Sequence, residues 1–209
     1  QDPDHWRDSH FRLQGPAVGQ MQGAFMDHWI ATRSVVLHGD DYFPPLESVG
    51  DQQAQTFRSG ADEGVESVRL MYLLSLTAAT RSIRIANAYF VPDDLTVETL
   101  VAAGERGVTV EVLVPGRHSD SKLVRNAARA RWGRLLEAGV QIYEYLPTMY
   151  HCKVMIVDDC WTSVGSTNFD NRSFRLNEEA NLNILDGDFA QAESRQFAAD
   201  LTRAKQTTL

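Results

Sequence analysis

The segment with the clearest chemical potential begins with a histidine and a lysine two residues apart. His151 and Lys153 open the pattern His-Cys-Lys-Val-Met-Ile-Val, which is typical of a β-strand. Successive side chains of a strand point to opposite faces, so residues two apart share a face. We therefore expect the imidazole of His151 and the ammonium group of Lys153 to lie side by side.

A second polar segment follows a predicted hairpin. Asp158 and Asp159 predict a two-residue turn that places Cys160 opposite Val157, and the returning strand leads into residues 165–168, Gly-Ser-Thr-Asn. The glycine allows the backbone to approach a ligand closely. The serine and asparagine side chains can donate hydrogen bonds to that ligand.

Together these groups suit a tetrahedral phosphoryl group. The histidine could act as a nucleophile or as a general acid-base. The lysine, serine and asparagine would hold the negative oxygens, so that no metal ion or other cofactor is needed. Taken without their context, the histidine and the lysine also fit a simpler interpretation, as polar residues at the edge of a strand.

Strands and helices alternate along the chain, and these elements must position the polar groups. The apolar patterns predict strands over residues 82–88, 108–114, 140–145, 151–157, 160–164 and 180–185. They predict helices over residues 62–80, 93–106, 119–138 (ending at Gly139) and 188–204. This alternation is typical of an α/β sandwich with a mixed sheet flanked by helices.

The N-terminal part of the sequence echoes the C-terminal part. Asp8 and Gly15 recur as Glu179 and Gly187, at offsets of 171 and 172 residues, each time with a predicted strand before a predicted helix. We therefore interpret residues 1–38 as the tail of one lobe, with a strand over 9–13 and a helix after Pro16. Residues 39–61 would be a connector with one short strand at 55–59, and residues 62–209 a complete second lobe.

The composition excludes several classes of protein. The 209 residues are 43% hydrophobic and carry a formal net charge of −8, which argues against a basic nucleic-acid surface. Residues 1–4 do not predict a signal peptide, and no apolar run is long enough to cross a bilayer. Cys152 and Cys160 do not form a metal or disulfide framework, and the predicted hairpin holds them apart.

The spacing of the polar residues resembles the signature of a known superfamily. Lys153 is followed after four residues by Asp158 and, after six more, by residues 165–168, which is the His-Lys-Asp signature of the phospholipase D superfamily. Further resemblance to the bacterial cardiolipin synthase branch lies at residues 6–10, 88–93, 106–110, 168–173 and 177–182. It covers essentially the whole chain and implies a phospholipase D-like α-β-α sandwich. Glu178 departs from the branch, where an apolar or aromatic residue is usual.

The resemblance implies an active site built from two signatures, of which this sequence carries one. One histidine would become a phosphohistidine and the other would protonate the leaving alcohol, and His151 could be either. Lys153 and Asn168 would bind phosphate, with Ser166 as an auxiliary donor. The missing first-signature lobe would be supplied in cis, or a second copy of the chain in trans.

The resemblance also assigns roles to three carboxylates. Glu179 would hold the second ring nitrogen of His151, and Asp8 would do the same for the histidine of the missing signature. Asp158, the third member of the catalytic signature, lies at the turn, away from the face shared by His151 and Lys153. We expect it to have a structural or a lysine-pairing role.

The implied function is that of a phosphatidyl transferase of cardiolipin synthase type, converting phosphatidylglycerol to cardiolipin. Its partner would be an anionic phospholipid at a membrane surface, and its place the cytoplasmic face of a bacterial inner membrane. The alternatives are another phosphodiesterase of the superfamily, either a hydrolytic phospholipase D or a nuclease, and an inactive half-enzyme. The basic residues of the helix over 119–138 would be a solvated face or would contact lipid headgroups; they are Lys122, Arg125, Arg129, Arg131 and Arg134.

Overall fold

The chain forms a mixed sheet of eight strands in a computed structural model that describes residues 5–60 and 66–208. The strands are β1 (Gln53–Ser59), β2 (Ser82–Asn87), β3 (Thr109–Pro115), β4 (Gln141–Tyr145), β5 (Lys153–Val157), β6 (Trp161–Gly165), β7 (Glu179–Leu185) and β8 (Ala204–Gln206). They lie in the order β1-β7-β6-β5-β2-β3-β4-β8. The pairs β2–β3 and β3–β4 are parallel and the other neighbours are antiparallel, so the predicted mixed sheet is confirmed.

Helices cover both faces of the sheet. They are α1 (Ala17–Arg33), α2 (Ser67–Ala78), α3 (Asp94–Glu105), α4 (Lys122–Ala130), α5 (Gly133–Glu137), α6 (Asn171–Arg175) and α7 (Gly187–Leu201). One apolar cluster joins α2 and α3 to one face, and a second joins α7 to the other. Strand β5 contributes Met155 to the first cluster and Ile156 to the second, so its side chains are buried on both faces. The strand that follows His151 is therefore rigidly held.

The hairpin between β5 and β6 differs by one residue from the prediction. Asp158 and Asp159 both adopt left-handed backbone angles with φ of 53°, and the amide of Cys160 donates to the carbonyl of Val157 at 3.1 Å. Trp161, rather than Cys160, then pairs with Val157. Cys160 is therefore an extra residue after the turn, and β6 begins one residue later than predicted. Cys152 and Cys160 are free thiols, as expected.

The predicted helix over 119–138 is two helices. Ser121 caps α4 by accepting a hydrogen bond from the amide of Val124, and the helix ends at Ala130. Trp132 is 3% exposed within the core, and Gly133, a weak residue in a helix interior, begins α5. The burial of the indole between the two helices explains the break. Gly139, with φ of +82°, follows α5 as predicted.

The N-terminal segment is only partly as predicted. The helix after Pro16 is present as α1, and the short strand of the connector is β1, which pairs with β7. Residues 9–13 do not form the predicted strand, because they pack across the sheet through Phe11 and Leu13 instead of along a free edge. The predicted start of the helix over 62–80 lies outside the described residues.

Candidate active site

His151 lies two residues before β5 and is fastened to the N-terminal segment. The amide of Arg7 donates to the carbonyl of Met149 at 2.7 Å, and the amide of His151 donates to the carbonyl of Arg7 at 2.8 Å. These two backbone bonds place residues 6–8 directly beside the imidazole. The indole of Trp6 packs against it with ring centroids 4.6 Å apart.

Both ring nitrogens of His151 have partners. Nδ1 lies 2.9 Å from Oδ2 of Asp8, and Nε2 lies 2.9 Å from Nζ of Lys153. Because a carboxylate only accepts hydrogen bonds, Nδ1 carries the proton and Nε2 keeps its lone pair. The imidazole is thus held in the tautomer that can attack phosphorus or accept a proton through Nε2, which confirms that His151 and Lys153 lie side by side.

Lys153 is a buried cation next to this nitrogen. Lys153 is only 9% exposed, and its Nζ also donates to the carbonyl of His151 at 2.8 Å. Burial lowers the pKa of Lys153, while the negative charges of Asp8, Glu179 and Asp120 act in the opposite direction. The ammonium group has lost part of its hydration shell, and a bound phosphate anion would supply the hydrogen-bond acceptors that water no longer provides.

Ser166 and Asn168 follow β6 in a loop beside β7. The hydroxyl oxygen of Ser166 accepts from the amide of Ala180 at 3.1 Å, which leaves its proton available for a ligand. The buried amide oxygen of Asn168 has no hydrogen-bond partner. That oxygen only accepts, so in the predicted binding role the Nδ2 group of Asn168 would donate to a phosphate oxygen.

Two buried asparagines, which the sequence reasoning missed, hold this loop in place. Asn181 accepts from the amide of Thr167 at 3.3 Å and from its hydroxyl at 2.7 Å. Asn87 accepts from the amides of Phe169 and Tyr89, each at 3.1 Å. Asn168 therefore lies between two clamped residues. The sequence did carry a signal for this role, because Asn87 ends β2 and Asn181 lies within β7, two strands that are otherwise largely apolar.

The predicted partner of His151 is wrong. Oε1 of Glu179 accepts from Nδ2 of Asn177 at 3.1 Å, and Asp8 takes the place expected for Glu179. The resemblance implies that each carboxylate binds the histidine of its own lobe. The N-terminal segment instead crosses to the start of β5. Asp8, from the first of the two echoed units, therefore binds His151, which lies in the lobe of the second unit.

Asp158 has a structural role at the other end of β5. Its carboxylate accepts from the amides of Thr80, Arg81 and Ser82 at 2.8–2.9 Å and from the hydroxyl of Thr80 at 2.8 Å. Burial opposes its charge, but these donors outweigh it and hold the pKa of Asp158 below its ordinary value. These contacts support the structural role of Asp158 over the lysine-pairing alternative and over its grouping with the catalytic residues.

An ion pair behind the imidazole anchors the N-terminal segment to α7. Nε and Nη2 of Arg7 bind the two carboxylate oxygens of Asp200 at 3.2 and 2.7 Å. The hydroxyl of Tyr150 donates to the same carboxylate at 3.2 Å. Since Arg7 precedes Asp8, this bidentate contact helps to fix the carboxylate that binds His151.

A cavity of about 340 Å³ opens beside the site. Asp8, Lys153 and Gly165 line its polar end, and Phe11 and Leu182 are among its apolar lining residues. Across residues 5–60 and 66–208, no three His, Cys, Asp or Glu side chains are grouped to hold a metal ion. Within the same ranges, every helix is too short or too polar to cross a membrane.

Much of the predicted basic face is neutralised by ion pairs. Arg125 and Arg129 both bind Oε1 of Glu144, at 2.8 and 3.0 Å. Arg131 binds Asp94 at 2.5 Å. These contacts favour the interpretation as a surface face over that of a lipid-binding face.

The fold, the contact of His151 with Lys153, and the loop of Asn168 held at the end of β2 define a protein of the phospholipase D superfamily. Within it, the chain belongs to the family described as cardiolipin synthase, PLD-like domain, whose sequence model matches residues 72–201. The predicted fold class and the resemblance are therefore confirmed.

Relatives of known name agree with this assignment. The chain is 36% identical over 206 residues to cardiolipin synthase 2 of Staphylococcus epidermidis, covering 98% of this chain and 42% of that protein. Among solved structures, the phospholipase D family member Nuc of Salmonella typhimurium superposes with a TM-score of 0.64 at 25% identity, over 76% of this chain and all of that one. Phosphatidylserine synthase of Haemophilus influenzae shares the fold, with a TM-score of 0.60, 17% identity and coverage of 78% and 42% of the two chains. The chain thus spans about two fifths of the curated relative.

Proposed function

We propose that the protein is a phosphatidyl transferase of cardiolipin synthase type, which converts phosphatidylglycerol to cardiolipin. The observation that carries the proposal is His151 with Nδ1 bound to Asp8 and Nε2 directed at Lys153. Nearby, the Nδ2 group of Asn168 and the hydroxyl proton of Ser166 provide further contacts for phosphate oxygens. The family and the relatives named above support transfer between phospholipids.

In the proposed reaction, Nε2 of a histidine attacks the phosphorus of the donor lipid. The N–P bond forms as the O–P bond to the leaving alcohol breaks, and a second histidine gives its proton to that alcohol. The acceptor hydroxyl then forms a new O–P bond, the N–P bond breaks, and the acceptor proton passes to the second histidine. His151 serves in one of these two roles. Lys153 and Asn168 stabilise the charge that develops on the phosphate oxygens.

The second histidine would come from a lobe that carries the other signature, joined in cis or supplied by a second copy in trans. In this arrangement residues 1–38 are the tail of that lobe, residues 39–61 the connector and residues 62–209 the second lobe. Glu179 corresponds to Asp8 at the offset of 171 residues. Asp8 binds the histidine of the lobe that follows it, so Glu179 would in the same way hold the histidine of the other lobe. The protein would act on an anionic phospholipid, as a peripheral protein at the cytoplasmic face of a bacterial inner membrane.

The test is a product analysis with the complete gene product in mixed detergent micelles. Phosphatidylglycerol labelled in its acyl chains should yield labelled cardiolipin and free glycerol. Phosphatidic acid alone would indicate a hydrolytic phospholipase D, and no product would indicate an inactive half-enzyme; either contradicts the proposal. A chelator should leave the rate unchanged, because lysine and asparagine supply the donors for the phosphate oxygens.

His151→Ala is the decisive variant in the same assay. Removing a covalent or proton-transfer group should lower the rate by about 100-fold or more. The matched control is His38→Ala, which replaces an exposed histidine after α1. Retention of more than about a tenth of the activity by His151→Ala would exclude the assigned role.

A further inference from the structure

Tyr89 lies between the two parts of the candidate phosphate site, although the mechanism above does not use it. The amide of Ala88 donates to the carbonyl of Cys152 at 3.1 Å, and the amide of Phe169 donates to the carbonyl of Tyr89 at 3.0 Å. Cys152 separates the catalytic histidine from the lysine, and Phe169 directly follows Asn168. The backbone of residues 88–89 therefore joins the two segments, Ala88 through Cys152 and Tyr89 through Phe169.

The side chain of Tyr89 reaches a carboxylate on the loop after β3. Its hydroxyl donates a hydrogen bond to Oδ2 of Asp120. Asp120 is exposed, and it is joined to the phosphate site through Tyr89, whose carbonyl accepts from the residue after Asn168. Its charge is the weakest of the three carboxylate charges that act on the ammonium group of Lys153. Within the described part of the chain, no ion pair joins Asp120 to an arginine or lysine.

This pair offers hydrogen-bond acceptors and no free donor. The proton of Tyr89 is committed to Asp120, so the tyrosine oxygen and the remaining carboxylate lone pairs can only accept. Burial and the neighbouring carboxylate raise the pKa of Tyr89 to about 12, so the phenol stays protonated at neutral pH. A phosphate group would be repelled from the pair itself, whereas the hydroxyl groups of a polyol, free or as the headgroup of phosphatidylglycerol, can donate their protons to it.

We propose that Tyr89 and Asp120 form the subsite for the acceptor alcohol and select a polyol. The subsite rests on the proposed transfer reaction. The pair binds one hydroxyl of the polyol while a second hydroxyl of the same molecule lies at the phosphate site. That second oxygen forms the new O–P bond as the N–P bond to histidine breaks, and its proton goes to the other histidine. Asp120 only accepts hydrogen bonds and takes no proton in the reaction. Its role is therefore to select the acceptor alcohol.

The experiment measures how the phosphoryl-enzyme divides between alcohol and water. The complete gene product receives phosphatidylglycerol labelled in its acyl chains together with deuterated glycerol at several concentrations. Mass spectrometry then separates deuterated phosphatidylglycerol, formed by transfer, from phosphatidic acid, formed by hydrolysis. The KM for glycerol, the KM for the lipid donor and the transfer-to-hydrolysis ratio are obtained from one series.

Asp120→Asn should raise the KM for glycerol about tenfold or more and shift the products towards phosphatidic acid. Tyr89→Phe should have a smaller effect in the same direction, because it removes one acceptor and leaves the carboxylate. Both variants should keep the KM for the lipid donor. The matched controls are Asp41→Asn and Tyr42→Phe, two exposed residues of the connector, which should behave like the wild type.

Three outcomes would overturn the subsite alone, and a fourth would overturn it together with the proposed function. An unchanged KM for glycerol and an unchanged product ratio in Asp120→Asn would do so while leaving the proposed transfer intact. So would an equal loss of transfer and hydrolysis with a raised donor KM, since the residue would then position the phosphate. Use of ethanolamine in preference to glycerol by the wild type would contradict selection of a polyol. A wild type without any transfer product would overturn the proposed function, and this subsite with it.

Discussion

The contact between Asp8 and His151 decides what the imidazole can do. A carboxylate on Nδ1 fixes the tautomer, orients the ring and stabilises the imidazolium that forms when Nε2 takes a proton. The opposite nitrogen lies against Lys153, which is drawn into the site at the expense of its hydration. A phosphate that enters would bind the ammonium group and free Nε2 for reaction.

Asp8→Asn should therefore impair the reaction more than the fold. We expect kcat to fall by about 100-fold or more, because the amide cannot stabilise the imidazolium. Near-normal kcat in this variant would show that the contact is incidental, and Asp41→Asn is the matched control.

At the scale of elements, the site depends on an N-terminal segment that belongs to no strand of the sheet. Its attachment includes two backbone bonds, one through the amide and one through the carbonyl of Arg7, and the ion pair of that residue with Asp200 on α7. Asp200 is 4% exposed, so breaking the pair would leave a nearly buried charge without its cation. The last turn of α7 therefore positions the carboxylate that binds His151.

A double-mutant cycle tests this anchor. Arg7→Gln and Asp200→Asn should each lower the free energy of unfolding by about 3 kcal/mol, and each should lower kcat with little change in the donor KM. The loss of unfolding free energy in the double variant should be smaller than the sum of the two single losses by about 1 kcal/mol or more. The reason is that the second change removes a charge that the first has already left unpaired. Strict additivity in unfolding by denaturant would show that the two side chains do not act as a pair.

Asp158 joins the β5–β6 hairpin to the start of β2 and should act on stability. Asp158→Asn should lower Tm by about 3 °C or more, because an amide cannot accept all four of the bonds that the carboxylate accepts. The folded-state pKa lies below the ordinary value of 3.8, so the contribution is complete above that value and is lost as the pH falls through the lowered pKa. Scanning calorimetry from pH 7 to pH 3 should show the difference in Tm shrinking with acid; a constant difference would contradict this.

At the scale of the whole molecule, one signature supplies one histidine, and the proposed exchange needs two. We expect residues 1–209, prepared alone, to show no turnover of phosphatidylglycerol as a monomer, because no second group would protonate the leaving alcohol. Sedimentation combined with the product assay tests this. Addition of a lobe with the first signature, or pairing of two copies, should restore activity, whereas a monomer with clear turnover would contradict the two-histidine reaction.

Local patterns in the sequence determined much of the fold and part of the site. Strand alternation is a property of neighbouring residues, and it predicted His151 beside Lys153, as observed. The predicted strand over 151–157 begins only at Lys153, so His151 lies just before it. Turn chemistry correctly located Asp158 and Asp159 but missed the extra residue at Cys160. The helix over 119–138 was predicted as continuous, because nothing in its own periodicity indicates that the indole of Trp132 enters the core and interrupts it.

The partners of the site residues were decided only by the tertiary structure. Asp8 and His151 are 143 positions apart, and the contact of Arg7 with Asp200 spans 193. No local periodicity specifies such a pairing; it depends on how the N-terminal segment crosses the sheet. The clamps formed by Asn87 and Asn181 are likewise contacts between strands and a distant loop. The sequence by itself therefore determined which groups can do the chemistry, and packing decided which carboxylate serves the histidine, because that choice depends on the path of the chain.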